Sequence, residues 1–177
     1  MVTLLRSVTN LFSSLFCTLL ILAISWMGLV PVAIALPITP LSTLSGQILS
    51  LHGNRPATLG VNQTGHLAAC PPSPNCVSSE SADPAHAIDP LTFTGEPEAA
   101  FAALKQTIAA FPRHEVITET EDYLYVEFTS HWLGFVDDVE FYLDRAAHKI
   151  QVRSASRLGE SDLGVNRQRV EAIRSAA

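Results

Sequence analysis

The spacing of hydrophobic positions divides the chain into unlike stretches. Leu11 to Val30 is a nearly unbroken apolar run, and residues 36–90 show no sustained period. Phe101, Leu104, Ile108 and Phe111 then recur at the spacing of one helical face. Glu96, Pro97 and Glu98 suit that helix's first turn, and Pro112 ends it. From His114 the period becomes two, which predicts strands around Val116 and Thr118, over Tyr123 to Ser130, over Val136 to Leu143 and over Lys149 to Ala155.

Alternation assigns faces within these strands. Leu124, Val126 and Phe128 share one face, predicted to meet the helix, while Tyr123, Tyr125, Glu127 and Thr129 share the other. Val139, Phe141 and Leu143 alternate in the same way against Asp138, Glu140 and Tyr142. Asp144 to His148 makes a tight return, so the neighbours are antiparallel. Asp162 caps a last helix beginning between Leu163 and Asn166, with Val170 and Ile173 as its apolar stripe. The expected class is α+β: a single domain of a helix, a four-stranded antiparallel sheet and a C-terminal helix, with both helices on one face.

Composition changes the picture at the N-terminus. Residues 1–35 hold 24 hydrophobic residues and a single charge, Arg6, whereas residues 36–177 hold 60 hydrophobic residues among 142. A weakly basic start, the apolar run and Ala33-Ile34-Ala35 read as a signal peptide, with cleavage after Ala35. The alternative is an uncleaved anchor, since the run is long enough to cross about 30 Å of hydrocarbon. Either way the remainder is expected to be exported, to a periplasm or a thylakoid lumen. Residues 36–90 carry eight prolines and four glycines and read as linker or draped loop, with residues 36–67 as the linker proper.

Cys17 leaves with the leader, so Cys70 and Cys76 are an even pair in an oxidising compartment and are expected to form a disulfide across Pro71 to Asn75. A metal site is the weaker use, because the pair lacks C-x2-C spacing. Seventeen acids against ten bases in residues 36–177 disfavour a nucleic-acid or anionic-membrane binder and leave a partner protein or a small anion. Membrane contact is then expected only through an uncleaved leader.

The acidity is uneven: residues 36–144 carry 14 acids and 3 bases, residues 145–177 carry 3 acids and 7 bases. Two readings of the arginines are open. Arg153 and Arg157 stand across from Asp138 and Glu140 as cross-strand ion pairs, or Arg153, Arg157, Arg167 and Arg169 form an anion pocket of guanidinium forks.

No G-x-S-x-G elbow, P-loop, dinucleotide fingerprint, H-E-x-x-H or haem motif occurs, so no catalytic residue, cofactor or metal is assigned. His131 to Phe135 interrupts the strands with two large aromatics around Gly134. It reads either as a turn capped by core aromatics or as a partner surface carried by Trp132 and Phe135, which the tyrosines could extend across the sheet.

Three segments carry a resemblance: Cys70 to Ser79, Gly134 to Phe141 and Val152 to Arg167. Together, in this order, they resemble the domain of unknown function 1499 family of bacterial and plastid proteins, which are often exported. The similarity runs over roughly residues 68–175 and sets the domain at 68–177. It implies an exported single domain and carries no established activity to transfer to this chain. It gathers Asp137, Asp138, Glu140, Arg153, Ser154, Ser156, Arg157, Asp162, Asn166 and Arg167 as polar residues of interest. They fit an anion site at a helix start or a buried network fixing that helix to the sheet.

Overall fold

Period-two sequence from His114 onward builds the centre of the structure, a computed structural model that describes residues 51–177. The leader, its cleavage point after Ala35 and residues 36–50 lie outside the described residues.

Strands β1 (Cys76–Ser78) and β2 (Leu91–Thr92) precede helix α1 (Pro97–Ala109). Then come β3 (His114–Glu119), β4 (Tyr123–Thr129), β5 (Val136–Asp144), β6 (Lys149–Ser156) and helix α2 (Val165–Ala176). The four expected strands form an antiparallel meander, β3 to β6. The expectation of a four-stranded sheet is corrected to six. β1 pairs residues 153–155 of β6 and β2 pairs residues 149–150, both antiparallel, so the two short strands share one edge. At three and two residues they are too short for any periodicity, and a proline-rich sequence around them reads as loop.

The face assignment holds. Phe101, Leu104 and Ile108 of α1 and Val170 and Ile173 of α2 pack with Leu124, Val126, Phe128, Val139, Phe141 and Val152 in one continuous core. Phe111 is partly buried and meets Phe128 edge to face, 6.4 Å between ring centres. Leu124, Val126, Val139, Phe141 and Val152 are all essentially inaccessible, as a sheet covered by helices requires.

The opposite face is not open. Leu59, Val61 and Leu67, from the stretch read as linker, pack over Tyr123, Tyr125, Ile117 and Tyr142. Tyr123 and Tyr125 are buried, which corrects the idea that the tyrosines extend an exposed partner surface. Residues Asn62 to His66 are closed by Asn62 O receiving the Gly65 N–H at 3.0 Å and by the Asn62 side chain receiving the Thr64 N–H at 2.8 Å. This Asx turn shapes the loop that drapes over the tyrosines. No helix among the described residues is long and apolar enough to cross a membrane.

Candidate functional site

Strand alternation separates the polar residues that the sequence groups together. Asp138, Glu140, Arg153 and Arg157 lie on the tyrosine face; Asp137, Ser154 and Ser156 lie on the helix face.

On the tyrosine face Glu140 and Arg153 stand directly opposite in register, Arg153 Nη1 donating to Glu140 Oε2 at 3.2 Å. Glu140 is completely buried and also receives the Gly60 N–H at 2.7 Å and the Tyr123 hydroxyl at 2.8 Å. A buried carboxylate needs such partners, since desolvation alone would expel it. Arg157 donates through Nε to both oxygens of Asp138 at 3.0 Å and reaches Glu127 and the Tyr125 hydroxyl through Nη2. Exposed Arg55 closes the set on Glu127, 2.7 Å from Nε to Oε1.

The titration behaviour follows from this closure. Burial works against the charges of Arg157 and Glu127, but their mutual hydrogen bonds, with Asp138, Tyr125 and Arg55, outweigh it. Arg157 is held above the ordinary guanidinium value and Glu127 below the ordinary carboxylate value. Burial, followed by the neighbouring carboxylates Glu140 and Asp138, pushes the Tyr123 and Tyr125 phenols well above their usual range.

On the helix face Ser154 and Asn166 anchor α2 to the sheet. Ser154 Oγ donates to Asn166 Oδ1 at 2.6 Å, while Asn166 Nδ2 donates to Asn75 O and to Ser156 Oγ, each at 3.0 Å. Arg169 joins them through Nη1 and pairs with Asp137 through Nη2. The expected Asp162 cap is corrected: Gly164 stands at the N-cap with no capping side chain, and Asp162, two residues earlier, receives the Gly164 N–H at 3.0 Å and the Asn166 N–H at 2.7 Å. Arg167 turns elsewhere, donating to Ala87 O at 2.7 Å and Ala85 O at 3.3 Å. The four arginines therefore do not converge on one pocket. The carboxylates of Glu140, Asp138 and Asp137 already engage Arg153, Arg157 and Arg169. Asn75 and Glu127 are the contributors that the sequence groupings lacked, whereas Arg169, read there as part of an anion pocket, holds Asp137. Asp-Arg spacing along one strand points at neither Asn75 nor Glu127.

Cys70 and Cys76 stand at disulfide distance, 2.03 Å between sulfurs. The cavity beside them, about 440 Å³, is lined by His66, Glu80, Asp83 and His86. Those side chains pair with each other, His66 with Glu80 at 2.8 Å and His86 with Asp83 at 2.9 Å. Among the described residues no group of three or more His, Cys, Asp and Glu is placed to hold a metal.

The exposed chemistry lies at one end of the sheet, where the β4–β5 loop (130–135) meets the β6–α2 loop (157–164). The Ser130 N–H donates to Phe135 O at 2.8 Å and the Phe135 N–H to Ser130 Oγ at 2.9 Å, closing the first loop. The Arg157 N–H bonds Val136 O at 3.1 Å, tying the second loop to the base of the first. Trp132 and Leu163 are each 88% exposed and Leu133 is 60% exposed. Trp132 is thus not a core aromatic capping its turn, because the tight Ser130–Phe135 closure leaves its ring outside. Phe135 is half-buried and lines, with Leu158, Leu163 and Val165, a cavity of about 240 Å³ whose polar lining includes Asp137 and Ser156. Leu163 holds its position with φ 54°, a left-handed conformation that costs a leucine about 1 kcal/mol.

A family model described as protein of unknown function (DUF1499) matches residues 66–176. No curated protein and no solved structure matches the chain.

Proposed function

The chain belongs to the DUF1499 family, and from that premise we propose that it is an exported, non-enzymatic binding module whose contact surface is the apolar end formed by Trp132, Leu133, Phe135 and Leu163. One observation carries this reading: Trp132 and Leu163 stand 88% exposed on loops closed by their own hydrogen bonds. Large apolar side chains held out rigidly lose little conformational freedom on contact, which favours binding.

A small-anion role for the arginines has less support, because Arg153, Arg157 and Arg169 already hold carboxylates. A serine nucleophile is likewise unsupported, since Ser154 is completely buried and bonded to Asn166. Export rests on the leader pattern and on the Cys70–Cys76 pair, which suits a periplasm or thylakoid lumen.

Hydroxyl-radical footprinting tests the contact surface without assuming its partner. Trp132 and Leu163 are expected to be protected in the native compartment and reactive in the purified chain. Equal reactivity in both settings rejects the surface. Intact mass tests processing: a species beginning at Leu36 establishes cleavage after Ala35.

A further inference from the structure

We infer that the occupant of this apolar end is a lipid bilayer surface with electrically neutral headgroups, into which Trp132, Leu133 and Leu163 insert. The inference rests on the reading of that end as the contact surface. It extends membrane contact from the leader to the folded domain.

Shape is the first argument. Trp132 and Leu163 project from two loop tips with almost no neighbouring cover. A protein partner must supply a matching pocket for each protrusion, whereas a bilayer interface accepts them without shape complementarity. Tryptophan suits that boundary, having an apolar ring and one N–H that stays wet.

The backing of the two loops is the second argument. A methyl at Gly134 would lie 3.4 Å from His52 Nε2, and one at Gly53 would lie 2.9 Å from Arg157 Cβ. Residues 52 and 53 therefore lie against the two loops that carry the apolar tips.

Charge selects the lipid. The β6–α2 loop carries Glu160 and Asp162 beside its apolar residues, and the β4–β5 loop carries neither Lys nor Arg. Docking on an anionic headgroup layer normally uses clustered Lys and Arg. Arg157, the one base in the two loops, is buried against Asp138 and Glu127, so the loops present no exposed Lys or Arg and neutral headgroups fit them better.

The test uses the full chain carrying Trp26→Phe, so that Trp132 is the only tryptophan, placed in phosphatidylcholine nanodiscs with plain or brominated acyl chains. Docking predicts blue-shifted Trp132 emission that brominated lipid quenches. Leu133→Ser with Leu163→Ser is expected to remove most of that quenching, since each exposed apolar side chain shifts the docked ratio roughly tenfold. Replacing part of the lipid with anionic phosphatidylglycerol is expected not to strengthen it.

Solvent-like emission with no bromine quenching overturns the membrane inference. So does a blue shift that brominated lipid leaves untouched, which marks a second copy or a protein on the surface and spares the contact reading. Protection of Trp132 in the compartment without lipid quenching here separates the two failures.

Discussion

Asp137 and Asp138 are neighbours on β5 and hold arginines on opposite faces of the sheet: Asp137 pairs with Arg169 of α2, and Asp138 with Arg157 beyond the end of β6. One pair pins a helix to its face; the other lies with Tyr125 and Glu127 under the draped N-terminal segment. What the sequence presents as one charged cluster is two separate fastenings, and neither leaves a guanidinium free for a ligand.

Breaking such a fastening from one side leaves a buried charge uncompensated. Arg153→Ala is expected to cost about 3–5 kcal/mol through the stranded Glu140 carboxylate. Arg153→Met combined with Glu140→Leu should recover part of that loss, although Gly60 N–H and the Tyr123 hydroxyl then lose their acceptor. Urea denaturation of both variants checks this. Inorganic phosphate should leave every midpoint unchanged, whereas an anion pocket would make the parent chain's midpoint rise with phosphate.

Glu127 sets an acid limit on stability. Its folded value lies below the ordinary 4.5, so between the two values the unfolded chain binds the extra proton. The stability it contributes is present above about pH 4.5 and is lost as pH falls through its lowered folded value. A pH series of thermal melts should show this decline. Glu127→Gln should begin less stable at neutral pH and show a shallower fall on acidification, since that titration is gone.

At alkaline pH the sign reverses in the phenols. Tyr123 and Tyr125 have folded values raised above the ordinary 10.0, so they stabilise the fold below that pH and cease to as pH rises past it. Absorbance at the phenolate band should show these two tyrosines ionising together with unfolding. Their ionisation in a domain still folded by circular dichroism would contradict their burial.

Periodicity made α1, the meander and the faces of Leu124 and Val139 legible, because repeated burial against one layer imposes a repeated pattern. Arg153 opposite Glu140 was also readable, from strand spacing and a tight return. The draped segment was not: Gly60 donating to Glu140 spans 80 residues, and a loop that covers tyrosines through three apolar side chains has no period to betray it. Trp132 carried an ambiguous signal, since an aromatic beside a glycine suits a capped turn and a surface equally. The Ser130–Phe135 closure and the ring's exposure exclude only the core aromatic.

The Cys70–Cys76 link closes a short loop leading into β1, which is stitched to β6 by the Ser156 N–H to Asn75 O bond at 3.0 Å. Reduction, or Cys70→Ser with Cys76→Ser, is expected to cost about 2 kcal/mol on the loop-entropy estimate. The loss should appear as a lowered melting temperature. Hydrogen exchange should rise in β1 before it rises in β5, because the α1 and α2 core does not depend on this link. Uniform loss of protection across all strands would place the disulfide in the folding core instead.

Leu163 offers the sharpest separation of function from stability. Its backbone sits at φ 54°, its side chain is 88% exposed, and the next residue, Gly164, is also left-handed at φ 82°. A glycine at 163 would relieve about 1 kcal/mol of strain, partly offset by the greater freedom it gives the unfolded chain. Leu163→Gly is therefore expected to raise stability by roughly 0.5 kcal/mol, while removing an apolar tip from the contact surface. Chemical denaturation reads the first effect and Trp132 quenching by brominated lipid the second. A variant that melts lower would show that Leu163 packs for the fold. A variant more stable yet weaker in contact would show that a strained leucine is kept at this position for what it touches.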